Sequence, residues 1–238
     1  MICKKTGIFT ALSLSLISLY SCSSNEIADS KDVAQNKIYQ QYSLNYTEGE
    51  KNFKIKAQFR FGGRNGTTLV LSKPANVHFD YVNMGVDSGK YAGAYYEDNR
   101  DAGLLFASHA IVYTDINKKA LENNFFFNQF KLSDIPATAS KKTPLSIGYS
   151  FDPYYQLQNG DYIELRAANT DSSFRITVNS TDTGKIIIPV KELKRQKGNE
   201  LSLEATLYRN MKLKQVTDEG GALEITYALK PVRIKLTE

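Results

Sequence analysis

Two cysteines, two histidines, no tryptophan and six prolines in 238 residues set the first limits on this chain. The cysteines are Cys3 and Cys22, so everything after Cys22 lacks a disulfide, a thiolate metal site and a thiol nucleophile. That remainder must be stabilised by core burial alone. His78 and His109 are the only imidazoles, and zinc generally takes three or four N, S or carboxylate ligands, so no metal and no cofactor is expected. Charge of one sign is also lacking. The 30 basic and 25 acidic residues leave +5, without the clustered basic stripe that captures nucleic acid, so no nucleic-acid partner is expected. No apolar run reaches the roughly twenty residues of a membrane-spanning helix. Long amphipathic helical periods are missing too, and only residues 117–124 and 190–197 have a local helical character.

What is present is β-sheet material. Fifteen tyrosines and twelve phenylalanines suit a pleated, half-buried surface. Phe53, Ile55, Ala57, Phe59 and Phe61 alternate with Lys54, Lys56, Gln58 and Arg60, which predicts a strand with one buried face. Gly62-Gly63-Arg64-Asn65-Gly66 then predicts a hairpin turn. Further strands are expected at 77–82, 91–96, 104–113 and 125–132. Residues 133–144, with two prolines and a lysine pair, read as a linker. Beyond it, alternation returns at Ile147 to Phe151, Ile163 to Ala167, Phe174 to Val178, Leu201 to Leu207 and Leu223 to Leu229, and Ile186 to Ile188 is continuously apolar. The expected fold class is all-β, with two tandem β-sandwich domains at 37–132 and 145–238, each near the hundred residues typical of a sandwich.

The amino terminus has a different character. Lys4 and Lys5 precede a mostly apolar stretch from Gly7 to Leu19, which is the layout of a secretory signal peptide over residues 1–21. Leu19-Tyr20-Ser21-Cys22 resembles the lipobox of bacterial lipoproteins, with Tyr20 standing where that family has a smaller residue. The resemblance implies that Cys22 is acylated and becomes the first residue of the mature chain, tied to the membrane by its lipid. Ser23 resembles the residue found after the cysteine in lipoproteins sorted onward to the outer membrane, which implies an envelope protein in a position to face the cell surface. Residues 23–36 are polar and aperiodic. Together with Cys22 they are expected to form a flexible tether over 22–36, reaching at most about 50 Å when stretched.

Three longer segments carry a second resemblance: GRNGTTLVLSKPANVHFDYVNM, AIVYTDINKKALENNFFF and GKIIIPVKEL. Together they are similar to two-domain surface lipoproteins with immunoglobulin-like sandwiches. The same architecture resembles fimbrillin-type pilus subunits, in which a donor strand from a neighbour fills a groove after proteolytic clipping. Neither resemblance brings catalytic residues with it.

Ser108 and His109 are adjacent, and neighbours on a strand face opposite sides, so they cannot form a nucleophile and base pair. Residues 97–101 offer oxygen ligands but lack the spacing of a calcium loop, and a solvated turn is expected. Lys191, Lys194, Arg195 and Lys197 are diluted by Glu192 and read as solvated. Phe125, Phe126 and Phe127 predict a strand apolar on both faces, packed either in a core or against the other half. Tyr91, Tyr95, Tyr96, Tyr154 and Tyr155 are candidates for an exposed aromatic platform, because tyrosine joins apolar area to a hydrogen-bonding tip. The functional expectation is a non-catalytic binding or interaction module, anchored at Cys22, with a protein or glycan partner. The alternatives are a fimbrillin-like pilus assembly subunit and a glycan-binding or glycan-processing accessory protein.

Overall fold

The structure is a computed structural model and describes residues 27–89, 93–167, 173–179 and 184–238. The first half consists of β1 (Ile27–Asp29), β2 (Ile38–Thr47), β3 (Asn52–Phe61), β4 (Thr67–Val70), β5 (Asn76–Phe79), β6 (Val82–Asn83), β7 (Gly85–Gly89), β8 (Gly93–Asp101), β9 (Ser108–Thr114) and β10 (Ala120–Phe126). The second contains β11 (Gln129–Ser133), β12 (Thr138–Ser140), β13 (Leu145–Asp152), β14 (Tyr162–Ala167), β15 (Arg175–Val178), β16 (Lys185–Ile188), α1 (Val190–Arg195), β17 (Glu200–Lys212), β18 (Gly221–Ala228) and β19 (Val232–Thr237). The protein is all-β, as the alternating patterns predict.

Alternation determines which face each strand buries. Phe53, Ile55, Ala57 and Phe59 of β3 are buried, while Lys54 and Asn52 are exposed. A four-stranded sheet in the order β10-β9-β5-β6 covers that buried face. The two layers meet through aromatic rings, with Phe59 and Tyr113 centroids 4.6 Å apart and Phe53 edge-on to Phe79 at 6.1 Å. In the second half a three-stranded sheet, β11-β13-β16, contributes Phe130, Ile147, Ile186 and Ile188 to the same continuous core. Burying side chains of this size contributes about 1.5–3 kcal/mol each.

The halves are not joined by a linker alone. β2 and β18 pair in parallel over eight positions, from Gln40 opposite Gly221 to Thr47 opposite Ala228, so one sheet of 12 strands runs through both halves. A Cβ on Gly221 would meet the backbone oxygen of Gln40 at 2.5 Å, so only glycine permits the close approach with which β18 begins. Thr217 Oγ1 donates to the Ile38 carbonyl at 2.6 Å beside it. Over the joint lies Tyr227 of β18, 1% exposed. Its ring is surrounded by Tyr46 of β2 at 5.4 Å, Phe127 at 5.6 Å, Phe106 at 6.1 Å and Phe130 at 6.4 Å. The phenylalanine run thus packs between the halves through Phe127, and Phe125 joins the core while Phe126 is 39% exposed.

Several sequence expectations are corrected. The boundary at 133–144 does not separate two independent sheets. β11 pairs with β13 across it, and β12, within it, pairs in parallel with β19. Residues 27–36, expected to be part of a tether, are docked. β1 pairs in parallel with β4, Ser30 is fully buried and its Oγ accepts from the Ser72 amide at 2.8 Å, and Gln35 Nε2 donates to the Ser30 and Val33 carbonyls. Short polar side chains satisfied by specific backbone partners can order a segment that composition marks as disordered. Residues 120–124, within the expected helical stretch, belong to β10, which continues to Phe126. Residues 97–101, expected as a turn, extend β8 against β3. In both cases sheet pairing overrides local preference.

Phe127→Ala should cost about 3–5 kcal/mol, as for other buried phenylalanines, while Phe126→Ser should stay below about 1 kcal/mol. Urea denaturation of both variants checks this, and equal losses would contradict the alternation described for the run.

Candidate functional site

The sheet that joins the halves buries one face and presents the other to solvent. Directly opposed residues on neighbouring strands share a face, so the pairing registers define transverse rows on it. One row runs from Asn99 of β8 to Lys54 of β3, Asn45 of β2, Thr226 of β18, Tyr208 of β17 and Tyr162 of β14. It crosses five inter-strand gaps, about 24 Å at the usual strand spacing. At one end the rings of Tyr162 and Tyr208 stack with centroids 4.7 Å apart and planes 19° apart.

At the other end the sheet surface and the β2–β3 turn enclose an open groove of about 560 Å³. Asn45, Lys54, Asn99 and Thr226 line it from the sheet, and Thr47, Lys51 and Asn52 line it from the turn side. Among the described residues, the side-chain amides of Asn45, Asn52 and Asn99 have no hydrogen-bond partner in the protein, so each offers a donor and an acceptor to the groove. Lys54 is held by Glu97 at 2.8 Å. That hydrogen bond and charge raise its pKa, so the cation persists at neutral pH. Beside it, Lys56 Nζ lies 3.7 Å from the Tyr95 ring centroid. The arrangement is a polar recess lined by planar amides, two lysines and the Glu50 carboxylate. It can bind hydroxyl-rich or amide-rich ligands by hydrogen bonds.

Among the described residues, the tyrosines singled out by sequence do not share one exposed face. Tyr91 and Cys22 lie outside the described residues. Tyr95 is on the solvent face of β8, where its hydroxyl donates to Asp87 Oδ2 at 3.2 Å. Tyr96, the next residue, points inward at 6% exposure, packs edge-on against Phe59, and accepts from the Leu71 amide. It lines a separate, more apolar groove of about 740 Å³ together with Val70, Met84 and Val86. Tyr154 is 86% exposed in the other half. Tyr155 is a structural strut. Its hydroxyl donates to Asp161, a residue 3% exposed, and the Arg209 guanidinium lies 4.0 Å from its ring centroid. Asp161 also accepts from the Gln158 and Asn210 amides, and Arg209 Nη1 donates to Asn128 Oδ1 at 3.2 Å.

The remaining candidates are structural as well. Ser108 is exposed and His109 buried, on opposite faces of β9. His109 is clamped between Asp80 Oδ2 at 2.8 Å and the Leu105 carbonyl at 2.9 Å, and stacks on Phe79. Both ring nitrogens are therefore occupied. Among the described residues, no three or more His, Cys, Asp or Glu side chains gather in a group that could hold a metal ion. The groove asparagines were missed at the sequence level because a polar residue on an alternating strand reads only as solvated. The pairing of Asn45 with Thr226 has no local signal.

No protein-family model matches the chain, and no curated protein matches it in sequence. Among solved structures it is similar to the IG1 and IG2 domains of DIP-gamma, at 8% identity and a TM-score of 0.22, covering 84% of this chain and 95% of that one. It is similar to a 1.5-MDa bacterial ice-binding adhesin, at 9% identity and a TM-score of 0.27, covering 84% of this chain and 64% of that one. A third is the adhesin InvE of Yersinia pseudotuberculosis, at 10% identity and a TM-score of 0.25, with 86% and 60% covered. The chain thus spans less than two thirds of either adhesin structure. The strand pairings themselves define the fold.

Burial, followed by the Asp161 hydrogen bond, pushes the Tyr155 phenol up from 10.0 to about 12. A raised folded-state value means that the native state keeps its proton where the unfolded chain loses it. The contribution is complete below pH 10 and is lost as pH rises through about 12. Urea unfolding between pH 9 and 11.5 should show a steeper loss of stability for the wild type than for Tyr155→Phe, and parallel curves would refute the strut.

Proposed function

We propose that the chain is a bacterial lipoprotein, acylated at Cys22, whose β body is a non-catalytic binding module for glycans in the cell envelope. The groove with three unpaired asparagine amides carries the ligand half of this reading. Glycan hydroxyls donate and accept at short intervals, and each planar amide offers both a donor and an acceptor to match them. The transverse row continues from the groove to the Tyr162 and Tyr208 pair, which offers apolar ring surface to a sugar face. Its length suits an oligosaccharide better than a single sugar. The Leu-x-Ser-Cys sequence supports the anchor half, with outer-membrane placement following from Ser23 by resemblance.

One observation favours a second reading as an assembly subunit. β1 is an edge strand placed directly before Lys31, whose side chain is 60% exposed. Clipping there would free the β4 edge for a strand from a neighbour. Detergent-resistant ladders after proteolysis would support that reading, and a monomer would end it.

Cys22→Ser should abolish incorporation of labelled palmitate and move the protein to the soluble fraction. On a glycan array the wild type should bind at least one neutral oligosaccharide class. Asn45→Ala with Asn99→Ala should weaken that binding at least tenfold with an unchanged melting temperature. Binding that ignores the double substitution would remove the groove from the reading.

A further inference from the structure

The docking of residues 27–36 fixes where the anchor can lie. Five peptide steps separate Cys22 from Ile27, at most about 18 Å of chain. β1 runs parallel to β4 with Ile27 opposite Thr68, so the chain enters the fold at the end marked by the β3–β4 turn. β2 starts at the same end, with Ile38 opposite Phe61, and so does β18, with Gly221 opposite Gln40. Through Thr68, Arg60 and Tyr39, Ile27 lies level with the start of β2. The groove is at the other end of β2, around Asn45 and Thr47. Six to eight residues of strand separate the two levels, about 20–26 Å, and three strand spacings add about 14 Å sideways. The anchor therefore cannot reach the groove.

Resting on the lipoprotein reading above, we propose that the β3–β4 turn end of the body sits against the phospholipid surface and that the groove is held facing away from it. The occupant of that end is a bilayer because the chain outside the structure leads there and ends in the acylated cysteine. The surface of that end agrees with this. Ile27 and Phe61, on the strands that flank β4, are 47% and 39% exposed, and beside them Arg64 is paired with Glu224 and Lys37 with Glu219. Exposed apolar side chains beside mutually neutralised ion pairs suit the headgroup interface of a membrane. The docked segment is thus a rigid stand in place of a tether, and its hold comes from the buried Ser30 and from Asn36, whose amide donates to Asp218 at 2.8 Å.

The test uses the acylated full chain in phosphatidylethanolamine and phosphatidylglycerol vesicles. Because the body beyond Cys22 is free of cysteine, Asn65→Cys and Glu50→Cys each give one site for an environment-sensitive fluorophore. Lipids carrying a spin label near the headgroup should quench the label at position 65 at least threefold more than that at position 50. Inserting ten glycine and serine residues after Ser24 should bring the two values together. Equal quenching in the acylated protein without the insert, or stronger quenching at position 50, overturns the orientation alone. Absence of acyl label on Cys22 overturns both the orientation and the reading beneath it.

Discussion

The parallel pairing of β2 with β18 is the contact on which the remaining organisation depends. Without it the chain would be two partial sandwiches, each with an exposed edge strand in its main sheet. With it, twelve strands share one sheet, and the buried face of that sheet receives both covering layers. Tyr227 makes the joint specific. Its ring is in van der Waals reach of residues from β2, the β8–β9 connection and the β10–β11 region, and burial raises its phenol well above the ordinary value, so it stays neutral there.

The same joint creates the solvent face that carries the groove. The row from Asn99 to Tyr162 exists only because a strand from the first half and one from the second lie side by side in register. The groove draws Asn45 from one half and Thr226 from the other. Buried networks hold the scaffold rigid on either side: His109 between Asp80 and Leu105 in one half, Asp161 with Tyr155 and Arg209 in the other. Titratable groups that sequence alone marks as chemically interesting are used here for positioning. The side chains left free to meet a ligand are asparagines that attract no notice in a linear reading.

How much was legible in the sequence follows from the range of each signal. Strand alternation is local, so β3, β17 and β18 and their buried faces could be read directly from residues such as Phe53, Ile55 and Ile225. The short helix at Val190–Arg195 also matches its sequence signal. Parallel pairing between Tyr42 and Leu223 leaves no trace in either strand, and so the two-domain division followed the prolines of 133–144 instead. The docking of Ser30 against Ser72 was illegible for the same reason. A serine that is fully buried looks identical, in composition, to one in a disordered tether. The tyrosine cluster failed because adjacent positions diverge: Tyr95 and Tyr96 face opposite sides of β8, and Tyr154 and Tyr155 differ as strongly in exposure.

The β2–β18 contact also constrains how the protein can come into being. Thr217 and Ile38, bonded at its start, are 179 positions apart. A pairing that distant carries a large loop-closure entropy and slows folding. Until the final strands emerge, β2 lacks its partner on one side and the Tyr227 ring is missing from the core of the first half. Nearly the whole polypeptide must therefore be present before the main sheet can close, which favours a chain that stays open until synthesis is complete over one that folds half by half.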